Sequence, residues 1–305
     1  MTALAVLADI VRAFGLEAGD IRRAGGRHNV HWRVRVGDRR YALRRCGVWS
    51  ETPGDIAWEI GAVHALAAVG VPVPAPVVGP REVGGATWLL MPWLEGRALR
   101  FPQTSETDYE RLGAHLAGFH AASADLPALA QRPHWTANVD GALPREGGAE
   151  RRAQLLAALG EADADMAARL ADAAAELDAR DLPAVFARYP RRLVHGDFSP
   201  WNIRVRRGAL VGVFDFDLAH VDVRAADVAY GRRGSHDAVV RGYLKRAPLS
   251  DAEFANLDAL WLGGVLQGVW RVLEDRLGRG ERGADLAFGL DWNLAQLTKT
   301  RPYRP

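Results

Sequence analysis

Apolar residues near the start of the chain recur at helical spacing. Leu4, Leu7, Ala8 and Val11 share one face and predict a short amphipathic helix over residues 3–15. The pattern then turns to alternation. Trp32, Val34 and Val36 mark one side of a run from Arg27 to Val36, and a second run, Tyr41–Arg45, follows the turn pair Gly37-Asp38, so the two predict a hairpin. Helical period returns over residues 54–69, with Ile56, Ile60, Val63 and Leu66 on the apolar face. Pro72, Pro74 and Pro76 then break structure, because proline has no amide donor. Residues 86–91, ATWLLM, read as a buried strand, and Pro92 to Gly96 as a crossover to a second lobe.

Beyond the crossover the pattern is mainly helical. Leu112, Leu116 and Phe119 define the inner face of a helix over 106–122. Residues 131–149 are rich in Pro and Gly and read as a loop, and the Ala-rich stretch 150–180 reads as helical. Two short apolar strands, Arg192–Val194 and Leu210–Phe214, flank a polar loop, and the remainder to about residue 298 is helical. The chain therefore predicts a strand-rich part over residues 1–92 and a larger, helix-rich part over 93–305, an α+β arrangement.

An apolar fraction of 49% and a charged fraction of 25% are those of an ordinary globular protein. No apolar run approaches the roughly 18 residues of a membrane span, and no basic start precedes an apolar core as in a signal peptide. Cys46 is the one cysteine; it predicts no internal disulfide, an inert small side chain and a cytoplasmic location. The formal charge of +2 conceals an uneven spread. Residues 103–190 hold 8 basic and 14 acidic residues, whereas 1–102 hold 13 and 9 and 191–305 hold 18 and 14. A solvated helical face or a cationic substrate each account for the acidic middle. The basic doublets, among them Arg206-Arg207 and Arg232-Arg233, are dispersed, so no nucleic-acid partner is expected.

The chemistry concentrates in LVHGDFSPWNIRV, residues 193–205, and VGVFDFD, residues 211–217. Asp197 and Asn202 are five positions apart across a loop, and Asp215 follows a short apolar strand. A carboxamide and a carboxylate at strand ends suit magnesium, a hard cation that takes few protein oxygens alongside substrate phosphates. Asp197 remains to accept a proton. The spacing H-x-D-x-x-x-x-N followed by D-F matches the catalytic loop and metal-binding Asp of kinases.

With H-G-D at 195–197, the segment resembles the aminoglycoside phosphotransferase family of small-molecule kinases, related to choline kinases and type II homoserine kinases. The resemblance extends through most of the chain. GGRHNVHWRV, residues 25–34, is similar to the family's nucleotide loop; YALRR, residues 41–45, to the strand carrying its phosphate-binding cation; and WEIGAVHALAAVGVPVPAPV, residues 58–77, to the helix whose Glu pairs with that cation. WLLMPWLEGRAL, residues 88–99, looks like the interlobe hinge, LGAHLAGFHAA, residues 112–122, like the first large helix of the C-lobe, and DVAYG, residues 227–231, like a later Asp-containing segment.

The resemblance implies a two-lobed protein-kinase-like fold. Residues 1–92 would form a nucleotide-binding N-lobe with an antiparallel sheet and one helix, and residues 93–305 a helical C-lobe. It implies Asp197 as catalytic base and Asn202 and Asp215 as holders of Mg2+ on ATP or GTP. Gly26, Asn29, Arg44, Glu59, Met91 and Trp93 would contact or support the nucleotide. His195 would brace the catalytic loop and Asp227 would orient it from behind. Two positions depart from kinase patterns: the usual Lys falls on Arg44, with Arg45 the alternative register, and Asp217 stands where protein kinases have Gly. The acceptor would be a hydroxylated small molecule, an antibiotic, with homoserine or choline as the alternative, and Trp135, Trp261, Trp270 and Trp292 are candidate lining residues. An inactive nucleotide-binding regulator is the reading from another class. The protein is expected to be a monomer or homodimer.

Overall fold

The computed structural model describes residues 3–26, 29–47, 53–99, 103–133, 135–299 and 303. Arg27 and His28, at the centre of the glycine-rich segment, lie outside them. In chain order the elements begin with α1 (Ala3–Ala13), β1 (Asp20–Gly25), β2 (Val30–Val36), β3 (Arg39–Arg45), α2 (Pro53–Ala68), β4 (Arg81–Val83) and β5 (Ala86–Pro92). They continue with α3 (Glu106–Ala122), α4 (Gly148–Gly160), α5 (Ala164–Arg180), α6 (Leu182–Val185), β6 (Arg192–Val194), β7 (Ile203–Arg206), β8 (Ala209–Val213) and β9 (His220–Asp222). Helices α7 (Arg224–Arg232), α8 (Asp237–Leu244), α9 (Asp251–Ala255), α10 (Leu257–Gly278), α11 (Ala284–Ala287) and α12 (Asp291–Lys299) complete the order. Two compact units result. One comprises Met1–Leu99 with Trp201–Asp217, the other Arg100–Pro200 with Leu218–Pro305.

The first unit is built on an antiparallel sheet of order β1-β2-β3-β5-β4. Side chains alternate across a strand, so each strand serves two faces. On one face Val34, Leu43, Trp88 and Leu90 pack with Leu7, Ile10 and Val11 of α1 and with Phe14 just after it. On the other, Leu89 and Met91 of β5 and Ala42 of β3 pack with Ile56 and Ile60 of α2. Leu43 and Arg44 therefore point to opposite faces, and Arg44 goes to the side of α2. Strand β1, DIRRAG, has too little apolar alternation to announce itself; it pairs with β2 from Asp20↔Arg35 to Gly25↔His31 as a polar edge.

The stretch 201–217 joins this unit, where the sequence placed the whole chain after residue 92 in the second part. Val213 N–H donates to Pro72 C=O at 2.8 Å, and Arg97 and Val205 exchange both main-chain hydrogen bonds, at 3.0 and 2.9 Å. The strand at residues 192–194 and the strand ending near Phe214 do not pair with each other. Strand β6 pairs with β9, and β8 pairs with β7, which was not foreseen. A two-residue turn, Arg207-Gly208, with φ of 53° and 82°, closes the β7–β8 hairpin.

The second unit is helical. Helix α10 carries Leu260, Trp261, Leu266, Val269, Trp270 and Leu273 into its core, and α3, α7 and α8 bury Leu112, Leu116, Phe119, Val228, Val239 and Tyr243. Among the described residues, no helix is long and apolar enough to cross a membrane.

Two stability predictions follow from the sheet. Leu43 is fully buried, and Leu43→Ala leaves a cavity between sheet and α1, lowering unfolding free energy by about 2–5 kcal/mol in denaturant titration. His31, opposite Arg44 in the β2–β3 register, has its pKa lowered to about 4, first by burial and then by the Arg44 charge. The unfolded chain takes up this proton at its ordinary value of 6.5, so the stability His31 contributes is complete above that pH and is lost as pH falls toward about 4. The loss amounts to at most about 3 kcal/mol, and His31→Gln flattens that limb of the pH–stability curve.

Candidate active site

In the first unit the charged residues gather on the α2 face of the sheet. Glu59 lies one turn after Ile56 on α2 and so faces the sheet with it. Arg44 Nη1 donates to Glu59 Oε1 at 2.5 Å, and Nη2 to Oε2 at 3.3 Å. Nη2 also reaches Asp217 Oδ1 at 2.5 Å. The side chains of Arg44, Glu59 and Asp217 are 3%, 6% and 9% exposed, so the triad is nearly dry. Arg45 is exposed, which settles the register in favour of Arg44 as the residue paired with Glu59. Burial opposes the Arg44 charge, yet Asp217 and Glu59 together raise its pKa well above the ordinary value.

The glycine-rich segment is tied to the same triad. Asn29 Nδ2 donates to Asp217 Oδ2, and Asn29 Oδ1 accepts from Gly47 N–H at 2.9 Å. Gly26 has a φ of +102°, and a Cβ there would fall 1.8 Å from the Asn29 carbonyl oxygen, so only glycine fits at this position. Met91 packs with Ile56 and Leu89 in the core under α2. The Trp93 N–H is committed to the Arg40 carbonyl at 3.1 Å.

Asn202 and Asp215 stand at one end of the β7–β8 hairpin. Phe214 N–H donates to the Asn202 carbonyl at 3.0 Å, one residue pair beyond Ile203↔Val213, so Asp215 follows directly on the residue bonded to Asn202. Asn202 is buried. Asp215 has a φ of +69°, a left-handed conformation that costs a non-glycine residue about a kcal/mol or more and recurs at functional positions. Among the described residues no group of three or more His, Cys, Asp or Glu is placed to hold a metal; the oxygen pair of Asn202 and Asp215 has the hard-donor character that a magnesium–phosphate complex uses.

The second unit holds the loop after β6. Asp227, fully buried on α7, accepts hydrogen bonds from the backbone N–H groups of His195 and Gly196, both at 2.7 Å. His120 Nε2 lies 3.2 Å from Asp227 Oδ2, and His120 Nδ1 lies 3.0 Å from the Tyr243 hydroxyl. Burial alone would raise the Asp227 pKa; the bond and charge of His120 and the contributions of His195 outweigh it and lower the value. The buried carboxylate thus fixes the loop from behind, as the resemblance implied. Gly196 adopts φ +75°, and a Cβ there would lie 2.1 Å from the Leu218 carbonyl oxygen, which explains Gly in the His-Gly-Asp triplet.

Asp197 Oδ1 is 2.5 Å from Arg233 Nη2. From the sequence alone Arg233 is only half of a dispersed doublet. Its role depends on a φ of +50° at the end of α7, which turns it away from Arg232, a fully buried residue bonded to Asp237. Tyr230, whose hydroxyl pKa is raised by burial and then by the Asp197 charge, packs edge-on against Trp261. The four tryptophans are not brought together as a lining. Trp261 and Trp270 are core residues, Trp270 donating to the Gly141 carbonyl at 3.0 Å. Trp135 has the guanidinium carbons of Arg132 and Arg271 5.3 and 4.6 Å from its ring centroid, and Trp292 is exposed. The Cys46 thiol is pushed up to about 12, chiefly by burial, which disfavours the reactive thiolate.

Comparison with known proteins gives these placements a context. Residues 20–260 match the family described as phosphotransferase enzymes, APH. A homoserine kinase of Xanthobacter autotrophicus is 33% identical over 244 residues, covering 73% of this chain and 70% of that one. A thermostable mutant of aminoglycoside phosphotransferase APH(4)-Ia, solved in ternary complex with AMP-PNP and hygromycin B, matches with a TM-score of 0.67 at 19% identity over 96% of this chain and 98% of that one. Amicoumacin kinase hAmiN, in complex with AMP-PNP, Ca2+ and Ami, matches with a TM-score of 0.64 at 16% identity over 100% and 98%. These structural matches show the fold, the two-lobed α+β fold of the protein-kinase type. With the family match spanning most of its length, the chain belongs to the APH family of phosphotransferase enzymes.

Proposed function

We propose that this protein is a cytoplasmic ATP-dependent kinase that transfers the γ-phosphate to a hydroxyl of a small metabolite, with homoserine the first acceptor to test. The observation that carries the kinase reading is the main-chain bond from Phe214 to Asn202, which brings the backbone of Asn202 and of Asp215 together at one end of the hairpin, with Asp215 in a left-handed conformation. Asn202 and Asp215 would hold magnesium, and the metal, when bound, would neutralise charge on the triphosphate. Arg44, supported by Glu59, would face the phosphates, with Gly26 and Asn29 as further contacts. Main-chain groups near Met91 would meet the base; at Trp93, whose N–H is bonded to Arg40, only the carbonyl would serve. Asp197, held by Arg233 and by a loop anchored on Asp227, would orient the attacking hydroxyl and accept its proton. Positioning and charge neutralisation dominate phosphoryl transfer, so these residues suffice for the chemistry. Their completeness speaks against an inactive regulator.

The choice of acceptor turns on two further observations. The acidic middle segment places its carboxylates on helix surfaces, where several pair with arginine or lysine: Asp178 with Arg152, Glu110 with Lys245 and Glu106 with Arg241. A solvated face accounts for that acidity without a cationic substrate. Of the tryptophans offered as a platform for a bulky antibiotic, Trp261 and Trp270 are core residues, Trp135 is already flanked by arginines and Trp292 is exposed. The sequence relative at 33% identity is a homoserine kinase, which brings the metabolite reading forward. The test is ATP turnover with homoserine, choline, hygromycin B and a panel of aminoglycosides, with product identified by phosphorus NMR. Phosphorylation of an antibiotic with none of homoserine or choline would reverse the acceptor assignment and leave the kinase standing.

Two substitutions probe the machinery. Asp197→Asn lowers kcat by about 100-fold or more with an unchanged melting temperature; a loss under about tenfold would remove Asp197 from its role. Asp215→Ala weakens Mg-ATP binding in calorimetry, because a negative ligand to the metal is lost, and equal affinity in variant and wild type would reject the metal assignment.

A further inference from the structure

Arg44 and Asp217 are the two positions that depart from kinase pattern, and they are bonded to each other. Arg replaces Lys on β3, and a carboxylate replaces Gly two residues after Asp215. Asp217 uses both oxygens: Oδ1 on Arg44 Nη2, Oδ2 on the carboxamide of Asn29 in the glycine-rich segment. Arg44 thereby meets two carboxylates in a nearly dry setting, Glu59 and Asp217, and the triad carries one more negative than positive charge. Glu59 alone would leave it neutral. A carboxylate on a guanidinium edge is itself a bound anion, and it occupies a donor that a phosphate oxygen would otherwise use.

We propose that Asp217 is a positioning residue that holds Arg44 and Asn29 in reserve, so that this chain discriminates against nucleotide without a divalent cation. The inference rests on the kinase reading above and adds a role for Asp217. A metal-free triphosphate meets a buried triad with excess negative charge and no vacant edge at that Nη2–Asp217 contact. Its binding is opposed by Coulomb repulsion that water does not screen. A nucleotide carrying magnesium brings the compensating positive charge with it. The Arg–Asp pair is the reciprocal of a Lys–Gly pair: the longer fork of Arg reaches two carboxylates, where the point charge of Lys would serve one.

Isothermal calorimetry of ATP in excess EDTA and in excess magnesium tests this on the full chain. Wild type binds Mg-ATP at least about 100-fold more tightly than metal-free ATP, the scale that one excess charge at a few ångströms sets. In Asp217→Asn the metal-free affinity rises by about tenfold or more while Mg-ATP affinity does not rise with it. A purely structural role for Asp217 would weaken both forms together. Breaking a buried ion pair risks the fold, so Arg44→Lys combined with Asp217→Gly provides a second variant, in which Lys keeps Glu59 as its one counter-charge. That double variant also binds metal-free ATP more tightly than wild type. A wild-type ratio below about tenfold, or a folded variant with unchanged or weaker metal-free binding, overturns the proposal. Absence of any Mg-ATP binding by wild type would instead overturn the kinase reading and this inference with it.

Discussion

A guanidinium withdrawn from water must find its counter-charges inside the protein, and that constraint on Arg44 organises the first unit. Its partners come from separate stretches: Glu59 from α2 and Asp217 from the turn after β8. Asn29 joins through Asp217. Four segments distant in sequence are thereby held to one buried charge. Such a triad contributes little net stability, since desolvation of the three charges offsets most of their attraction. What it contributes is position: removing Arg44 leaves two buried carboxylates without a counter-charge, at a cost of about 3–5 kcal/mol. The alternation of β3 makes the arrangement possible: Leu43 faces α1 and Arg44 faces α2.

The second unit applies the same physics with a different donor. Asp227 is as buried as Arg44 and is satisfied by two backbone amides and a histidine. A carboxylate that accepts such bonds remains charged in spite of burial, and the bonds are directional, so they define the path of the chain at His195 and Gly196. The tight fit of Gly196 against the Leu218 carbonyl completes the loop's shape. Asp197 is then presented by a backbone with little freedom, and Arg233 fixes its carboxylate. Preorganisation of this kind is what a reaction governed by positioning requires.

The reading of the sequence was accurate where period and motif carry the signal. The helices at α1, α2 and α3 and the strands β2, β3 and β5 were legible because apolar residues recur along them at helical or alternating spacing. The Arg44–Glu59 pair and the Asp227 anchor were legible through resemblance, since a motif encodes partners that spacing alone does not. Strand β1 was missed because an edge strand written DIRRAG shows almost no alternation. The pairing of β6 with β9 was missed because three-residue strands are fixed by tertiary contacts, not by pattern. Attachment of the β7–β8 hairpin to the first unit depends on main-chain bonds to Pro72 and Arg97, and main-chain bonds leave no mark on side-chain identity. Arg233 escaped for a related reason: its use follows from a left-handed residue at a helix end, which an arginine does not advertise.

The contrast between net charge and placed charge explains why the acceptor is harder to read than the reaction. A surplus of acidic residues over 103–190 is a statement about composition, and composition does not say where a carboxylate points. Asp178, Glu110 and Glu106 are each answered locally by a basic side chain, so their field largely cancels within a few ångströms and is screened by salt beyond that. Arg44, Asp217 and Asp227 are few, but they are buried, and in a medium of low polarisability each one acts on its neighbours with many times the strength of a surface charge. The charges that fix the framework of the candidate site are therefore those the fold has removed from water. An acceptor drawn by surface charge would be chosen weakly; one chosen by fit and hydrogen bonding beside Asp197 would be chosen well. A small polyfunctional alcohol whose groups can each be met by a fixed donor or acceptor gains more from such a site than a bulky cation held by diffuse attraction.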